Sequence, residues 1–153
     1  MPATYSGAWS AQEVRSFLED SVIPMRLACV GSDGFPHVVS VWYRYRDDFL
    51  QCVTHRDSHL AGMLWRHEKV GFEVAPNDPP YHGVRGRGSA TLATLGDTRA
   101  LEELLEKYLG GRESRVANWL LSRKEEELLV TIRPHRLFSW DYRERMADVA
   151  AGQ

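Results

Sequence analysis

Apolar and polar residues alternate along this chain with two different periods, and the switches between them mark the elements. Ser10-Ala11-Gln12-Glu13 has the form of a capping box, with Ser10 at the N-cap and Glu13 at N3. Val14, Phe17 and Leu18 then share one helical face, which predicts a helix over residues 10 to about 20, closed off before Pro24. Met25 to Gly31 is an apolar strand ending in the turn sequence Ser32-Asp33-Gly34. His37 to Tyr45 is rich in β-branched and aromatic residues. Its period of two puts Val39, Val41, Tyr43 and Tyr45 on one face and Val38, Ser40 and Trp42 on the other. Arg46-Asp47-Asp48 turns into a strand over Phe49 to Thr54, so the three segments read as an antiparallel meander.

A second helix starts at Asp57 or Ser58 and carries Leu60, Met63, Leu64 and His67 at helical spacing. Val70, Phe72 and Val74 alternate as a strand, and the prolines at 76, 79 and 80 forbid regular structure before the next one. That strand runs from Gly83 to about Leu95, and Gly83, Gly86 and Gly88 within it predict a bulge or a close backbone approach. Asp97 is the expected cap of a third helix bearing Leu101, Leu104, Leu105 and Tyr108, stopped by Gly110-Gly111. Val116, Trp119 and Leu120 mark a fourth. Leu128 to Ile132 and Leu137 to Trp140 read as two strands separated by Pro134, and the polar tail from about residue 144 to 153 is expected to fray. Strands grouped in this way predict an α+β domain, a predominantly antiparallel barrel of six to seven strands with three to four peripheral helices.

Bulk properties narrow the function. A length of 153 residues suits one domain with one core, and 43% hydrophobic with 26% charged residues is a globular balance. Nineteen basic residues are interspersed with 21 acidic ones, so no basic face stands out and nucleic-acid binding is not expected. No apolar run approaches the roughly 20 residues that span a bilayer. Met1 to Trp9 does not read as a signal peptide, and no membrane association is expected. Cys29 and Cys52 lack the spacing of a zinc site, and buried free thiols in a reducing cytoplasm are the expectation. His55 and His59 are four apart, but the cap between them puts His55 outside the helix, so no metal site is expected. Gly83 to Gly88 lies inside a strand pattern rather than between strand and helix, which argues against a dinucleotide fold. There is no G-x-S-x-G elbow and no cysteine paired with an activating histidine.

Several segments together carry a resemblance: Asp33-Gly34-Phe35-Pro36-His37 at a strand entry, Ser40-Val41-Trp42-Tyr43, the helix capped by Ser58, and Pro79-Pro80-Tyr81-His82-Gly83-Val84 leading into Gly86-Arg87-Gly88-Ser89-Ala90. From about Arg26 to Trp140 the chain resembles the pyridoxamine 5′-phosphate oxidase-like FMN-binding split barrels, which include flavin- and deazaflavin-dependent oxidoreductases. The resemblance implies a split barrel, a homodimer, and a cofactor site made of Val39, Ser40, Val41, Trp42, Thr54, Ser58, His59 and Arg87. Val39 to Trp42 would line the flat ring, while Ser58, His59 and Arg87 would hold the phosphate. FMN is the implied cofactor, with deazaflavin (coenzyme F-420) as the alternative and heme as a third.

The phosphate end departs from the family pattern. Its usual lysine is replaced by His59, and the next basic and amide positions carry Gly62 and Met63. A helix N-terminus still offers N–H groups to an anion. Arg56, Arg85 and Arg87 read either as an anion clamp or as solvated arginines, and Ser40 and Trp42 either as ring contacts or as ordinary parts of the core. Trp140 matches a position near the family's site, and Tyr81 or His82 is a possible proton donor, although no catalytic residue is assigned. The expected activity is hydride transfer to a small organic substrate at the dimer interface. The alternatives are a non-catalytic carrier of flavin, heme or tetrapyrrole, and a scaffold that has lost its cofactor.

Overall fold

The computed structural model describes residues 1–149. Four helices surround one eight-stranded sheet. The strands are β1 (Thr4–Gly7), β2 (Met25–Val30), β3 (Pro36–Val41), β4 (Arg44–Arg46), β5 (Phe49–His55), β6 (Lys69–Val74), β7 (His82–Thr94) and β8 (Glu127–Asp141). The helices are α1 (Ala11–Asp20), α2 (His59–Arg66), α3 (Arg99–Leu109) and α4 (Arg115–Ser122). The sheet runs β3-β2-β6-β7-β8-β5-β4, with β1 added beside β8. Every pairing except β1 with β8 is antiparallel. Strands β3 and β4 are the two ends of this path, so the barrel stays open between them. The α+β class and its antiparallel barrel hold.

The strand count is eight rather than six or seven because of three local differences. The four residues of β1 pair with Arg136 to Ser139 and were not anticipated. The expected run from His37 to Tyr45 breaks at Trp42-Tyr43, and its halves become opposite ends of the sheet. It is therefore two separate hairpins, β2–β3 and β4–β5, and not a meander. The break has a physical cause: the Tyr43 backbone bonds to α3 rather than to a strand. Lys107 Nζ donates to the Tyr43 carbonyl at 2.8 Å, and the Tyr43 N–H donates to Tyr108 Oη at 3.3 Å. The Tyr43 hydroxyl donates to Leu18 O at 2.8 Å, and the side chain is fully buried. Burial beside these rings pushes the Lys107 ammonium down to about 8.

The third difference is that the two expected C-terminal strands are one. Pro134 sits inside β8, where the strand's outer neighbour changes from β5 to β1 and no ladder N–H is needed. Opposite it, β7 and β8 slip register between Arg87 and Gly88, the bulge that the glycines predicted.

Inward residues of the strands join Val14 and Leu18 of α1 and Leu60, Met63 and Leu64 of α2 in the main core. Ser10 closes the capping box of α1 as expected: Glu13 N donates to its hydroxyl at 3.1 Å, and Ser10 N donates to the Glu13 carboxylate at 2.7 Å. Cys29 and Cys52 are both free and buried there. A second cluster, with Leu101, Leu105 and Ala117, fills the space between β5 and helices α3 and α4.

Helix α3 is capped at Thr98 rather than Asp97, whose carboxylate instead accepts from Arg99 N at 3.0 Å. The fourth helix that Val116, Trp119 and Leu120 marked is present, with Val116 and Trp119 52% and 56% exposed and Ala117 turned inward. The expected frayed tail begins as turns, with Met146 N donating to Tyr142 O at 2.8 Å, and residues 150–153 of it lie outside the described residues. Among the described residues no helix is long and apolar enough to cross a membrane.

Candidate functional site

Two elements meet where the resemblance places a cofactor. Ser58 is the N-cap of α2: its hydroxyl accepts from Ala61 N at 3.0 Å and lies 2.7 Å from Thr54 Oγ1 at the end of β5. Gly62 N donates to Ser58 O, while the N–H groups of His59 and Leu60 have no partner among the described residues. Two free donors therefore face outward at the positive end of the helix. His59 is exposed, and its ring lies 5.6 Å from that of His37, near the start of β3. Through this contact α2 and β3 share one corner of the barrel. Ser40 lies three residues further along β3, roughly 10 Å at the rise of an extended strand.

The other expected residues divide. Val39 and Val41 pack against the main core, while Ser40 is exposed, opposite Arg26 in register. Trp42 turns to the second cluster, its ring stacked on Tyr108 at 5.3 Å and 8°. Arg87 belongs to β7, three strands from β3 and so about 14 Å across the sheet. Of the set, Thr54, Ser58 and His59 form one local group, Val39 to Val41 continue the strand that His37 joins to it, and Trp42 and Arg87 lie apart.

Around the group, His55 is committed elsewhere. Its Nδ1 accepts from Asp57 N at 3.0 Å and its Nε2 lies 3.0 Å from Glu126, whose carboxyl is held below the usual range by that bond. Arg56 lies 3.9 Å from Asp57 and 4.0 Å from Glu126, loosely placed beside the cap. Among the described residues no three metal-ligating side chains cluster. Of the loop candidates, Tyr81 is exposed, and His82 Nδ1 is tied to Pro80 O at 3.0 Å. Trp140 lies at the outer face under Arg85, 5.7 Å from ring to guanidinium.

A cleft of about 560 Å³ opens on the outer face of β2, β6 and β7 and takes in Arg87. Sequence reasoning missed its other polar members, Lys69 and His135, and its floor, Gly71. The signal for Gly71 was visible, a glycine between two inward-facing residues of a strand.

No family model matches the chain, and no curated protein sequence matches it either. Solved structures do. A conserved hypothetical protein from Mycobacterium tuberculosis superposes at TM-score 0.78 with 24% identity, over 100% of this chain and 96% of that one. A protein described as an F420 reductase superposes at 0.71 with 19% identity, over 85% and 98%. The fold is the pyridoxamine 5′-phosphate oxidase-like split barrel. The heme storage protein of Vibrio cholerae has the split barrel too, at TM-score 0.61 and 14% identity, over 83% and 89%. At these identities the split barrel is what is shared, and the described partners belong to those proteins.

Proposed function

We propose that this split barrel is a flavin- or deazaflavin-dependent oxidoreductase, working as a homodimer and passing a hydride to a small organic substrate. The observation that carries the reading is the corner where His59 meets His37. It sets two free helix N–H groups and the Thr54–Ser58 hydroxyl pair beside the open edge strand β3. That donor set suits a phosphate: an eight-residue helix supplies its dipole end, and the His59 ring can add a further N–H donor. The exposed edge of β3 suits the polar rim of a flat heterocycle, because a strand presents N–H and C=O groups at regular spacing.

When bound, the cofactor supplies the hydride chemistry. The chain would then orient the ring along Val39 to Val41, hold the phosphate at Ser58 and His59, and exclude water with a second copy. Free, buried cysteines suit a cytoplasmic setting.

Titration of the purified protein with FMN and with coenzyme F-420, followed by ligand fluorescence, tests this. Binding of one of them, weakened at least tenfold in Ser58→Asp, is expected. His59→Lys should tighten FMN several-fold by adding the missing full charge. Binding of neither cofactor removes the reading. One observation favours a second reading: the His37–His59 pair could take a heme iron. A Soret band on heme addition, lost in both His37→Ala and His59→Ala, would support that carrier role instead.

A further inference from the structure

The glycines of this sheet fall into two kinds. A Cβ on Gly86 would sit 2.6 Å from Arg136 O and collide with the Phe72 ring, and a Cβ on Gly88 would collide with the Arg133 carbonyl. Close packing of the barrel therefore requires both. Gly71 is different. A Cβ there would meet Ala28 Cβ at 3.7 Å and Gly86 O at 3.8 Å, ordinary contacts, and its backbone is not in the left-handed region. Glycine in mid-strand weakens a sheet, so the fold gains nothing from this one. What its bare backbone does is leave a trench. Gly71 pairs with Ala28 on one side and with Arg87 on the other, so the two smallest outward residues lie side by side and lead to a guanidinium.

The trench ends in donors. Arg87 and Lys69 both line it, and neither has a carboxylate within 4 Å among the described residues. The bulge adds a third group. Arg87 pairs with Arg136 and Gly88 with Pro134, which leaves His135 as the extra residue, turned outward into the cleft with its Nε2 3.0 Å from Ser89 Oγ. Re-aiming a side chain is what bulges do near sites. The opposite wall is Val30 and Pro36, and the volume of about 560 Å³ is within the range of small-molecule sites.

We infer that the trench over Gly71 binds a flat aromatic anion, its ring on the Ala28–Gly71 floor and its carboxylate or sulfonate against Arg87, Lys69 and His135. A planar body suits a floor of exposed peptide between small residues, and the arginine fork suits a two-oxygen anion. Its donors Arg87, Lys69 and His135 take no part in the β3–α2 corner, so the inference stands whether or not the chain carries a flavin.

The test is titration of the intact protein with 2-naphthoate, followed by ligand-observed NMR and calorimetry. Saturable binding is expected, with Kd raised at least tenfold in Gly71→Val and in Arg87→Ala and less than twofold in Arg85→Ala. Neutral 2-naphthol should bind at least tenfold more weakly. Gly71→Val should keep the wild-type Tm. If it does not, Gly71→Ala, which adds only the one Cβ that fits, must still weaken binding at full stability. The inference is overturned if naphthoate fails to bind at 5 mM or binds the folded Gly71 variants as it binds wild type.

Discussion

Arginines on the two flanks of this barrel differ in how often they meet a carboxylate. On the helical flank and at the chain ends most are matched, with Arg66, Arg99, Arg115 and Arg145 the ones that meet no carboxylate among the described residues. Arg44 meets Glu103 at 2.6 Å, Arg112 meets Glu102 at 2.6 Å, and Arg15 meets Asp48 at 2.8 Å. Arg123 meets Glu127 and Arg143 meets Asp141, each at 2.6 Å. On the outer face of β2, β6, β7 and β8, Arg26, Arg85, Arg87 and Arg136 have no carboxylate within 4 Å among the described residues. Glu73 stands in register between Arg26 and Arg85, yet neither reaches it; Arg85 lies over the Phe138 ring instead, at 4.6 Å. The chain's net charge is only −2, so this is segregation rather than excess. Paired arginines hold the structure together. Unpaired ones leave a positive field on one face, which raises the local concentration of anions.

The comparison breaks hardest at Arg123. Its partner Glu127 is 3% exposed, and the guanidinium is also held over Trp119 at 4.2 Å. Arg123→Ala strands a carboxylate that water cannot reach, and the expected loss is about 2–3 kcal/mol, since removing one partner of a buried pair leaves the other uncompensated. Urea unfolding measures it. Arg123→Ala/Glu127→Leu should recover most of the loss, and a single variant as stable as wild type would mean that the pair does not hold this corner.

Which of these features the chain could disclose in advance depended on distance along it. The α1 cap was readable because every group it needs lies within four residues, and β6 because Val70, Phe72 and Val74 alternate within one short run. The break at Trp42-Tyr43 was not: the alternation passes straight through it, and the groups that stop it, Lys107 and Tyr108, come about 64 residues later. Pro134 looked like a separator because it lacks an N–H, and only the change of neighbour from β5 to β1 shows that none is required. Helical spacing at Val116 and Trp119 marked a face without saying what covers it. In the candidate site, the Ser58 cap was local and legible. Grouping Arg87 with Lys69 and His135 required a bulge between two strands over forty residues apart.

A smaller effect separates the flanks by pH. Arg143 grips Asp141 through two hydrogen bonds, at 2.9 and 2.6 Å, and Trp9 Nε1 donates to the same carboxylate at 3.0 Å. Those donors, Arg143 first, hold the Asp141 carboxyl well below the usual carboxylate range. A depressed carboxyl stabilises the fold above its unfolded pKa, near 4, and the contribution is lost as pH falls below that value. With solvent screening of a half-exposed partner, the expected loss in Asp141→Asn is about 1 kcal/mol at pH 7. The gap from wild type should narrow steadily as pH falls from about 4 toward 2, read from urea midpoints across that range; a gap independent of pH would assign it to Trp9 packing instead.

The smallest expected change in stability is on the outer face. Arg85→Ser with Arg87→Ser removes two like charges on the same side of one strand and breaks no ion pair, so stability should stay within about 0.5 kcal/mol of wild type, or rise slightly. What should change is the field. The on-rate of an anionic probe at low ionic strength should fall several-fold in the double variant, and its salt dependence should flatten, because steering is the part of association that salt screens. Arg15→Ser with Arg112→Ser removes the same charge from the paired flank, and each loss there leaves an acid behind, so the field over the sheet should hardly move. Equal loss of steering in both double variants would mean that net charge, not its placement, governs the approach of anions.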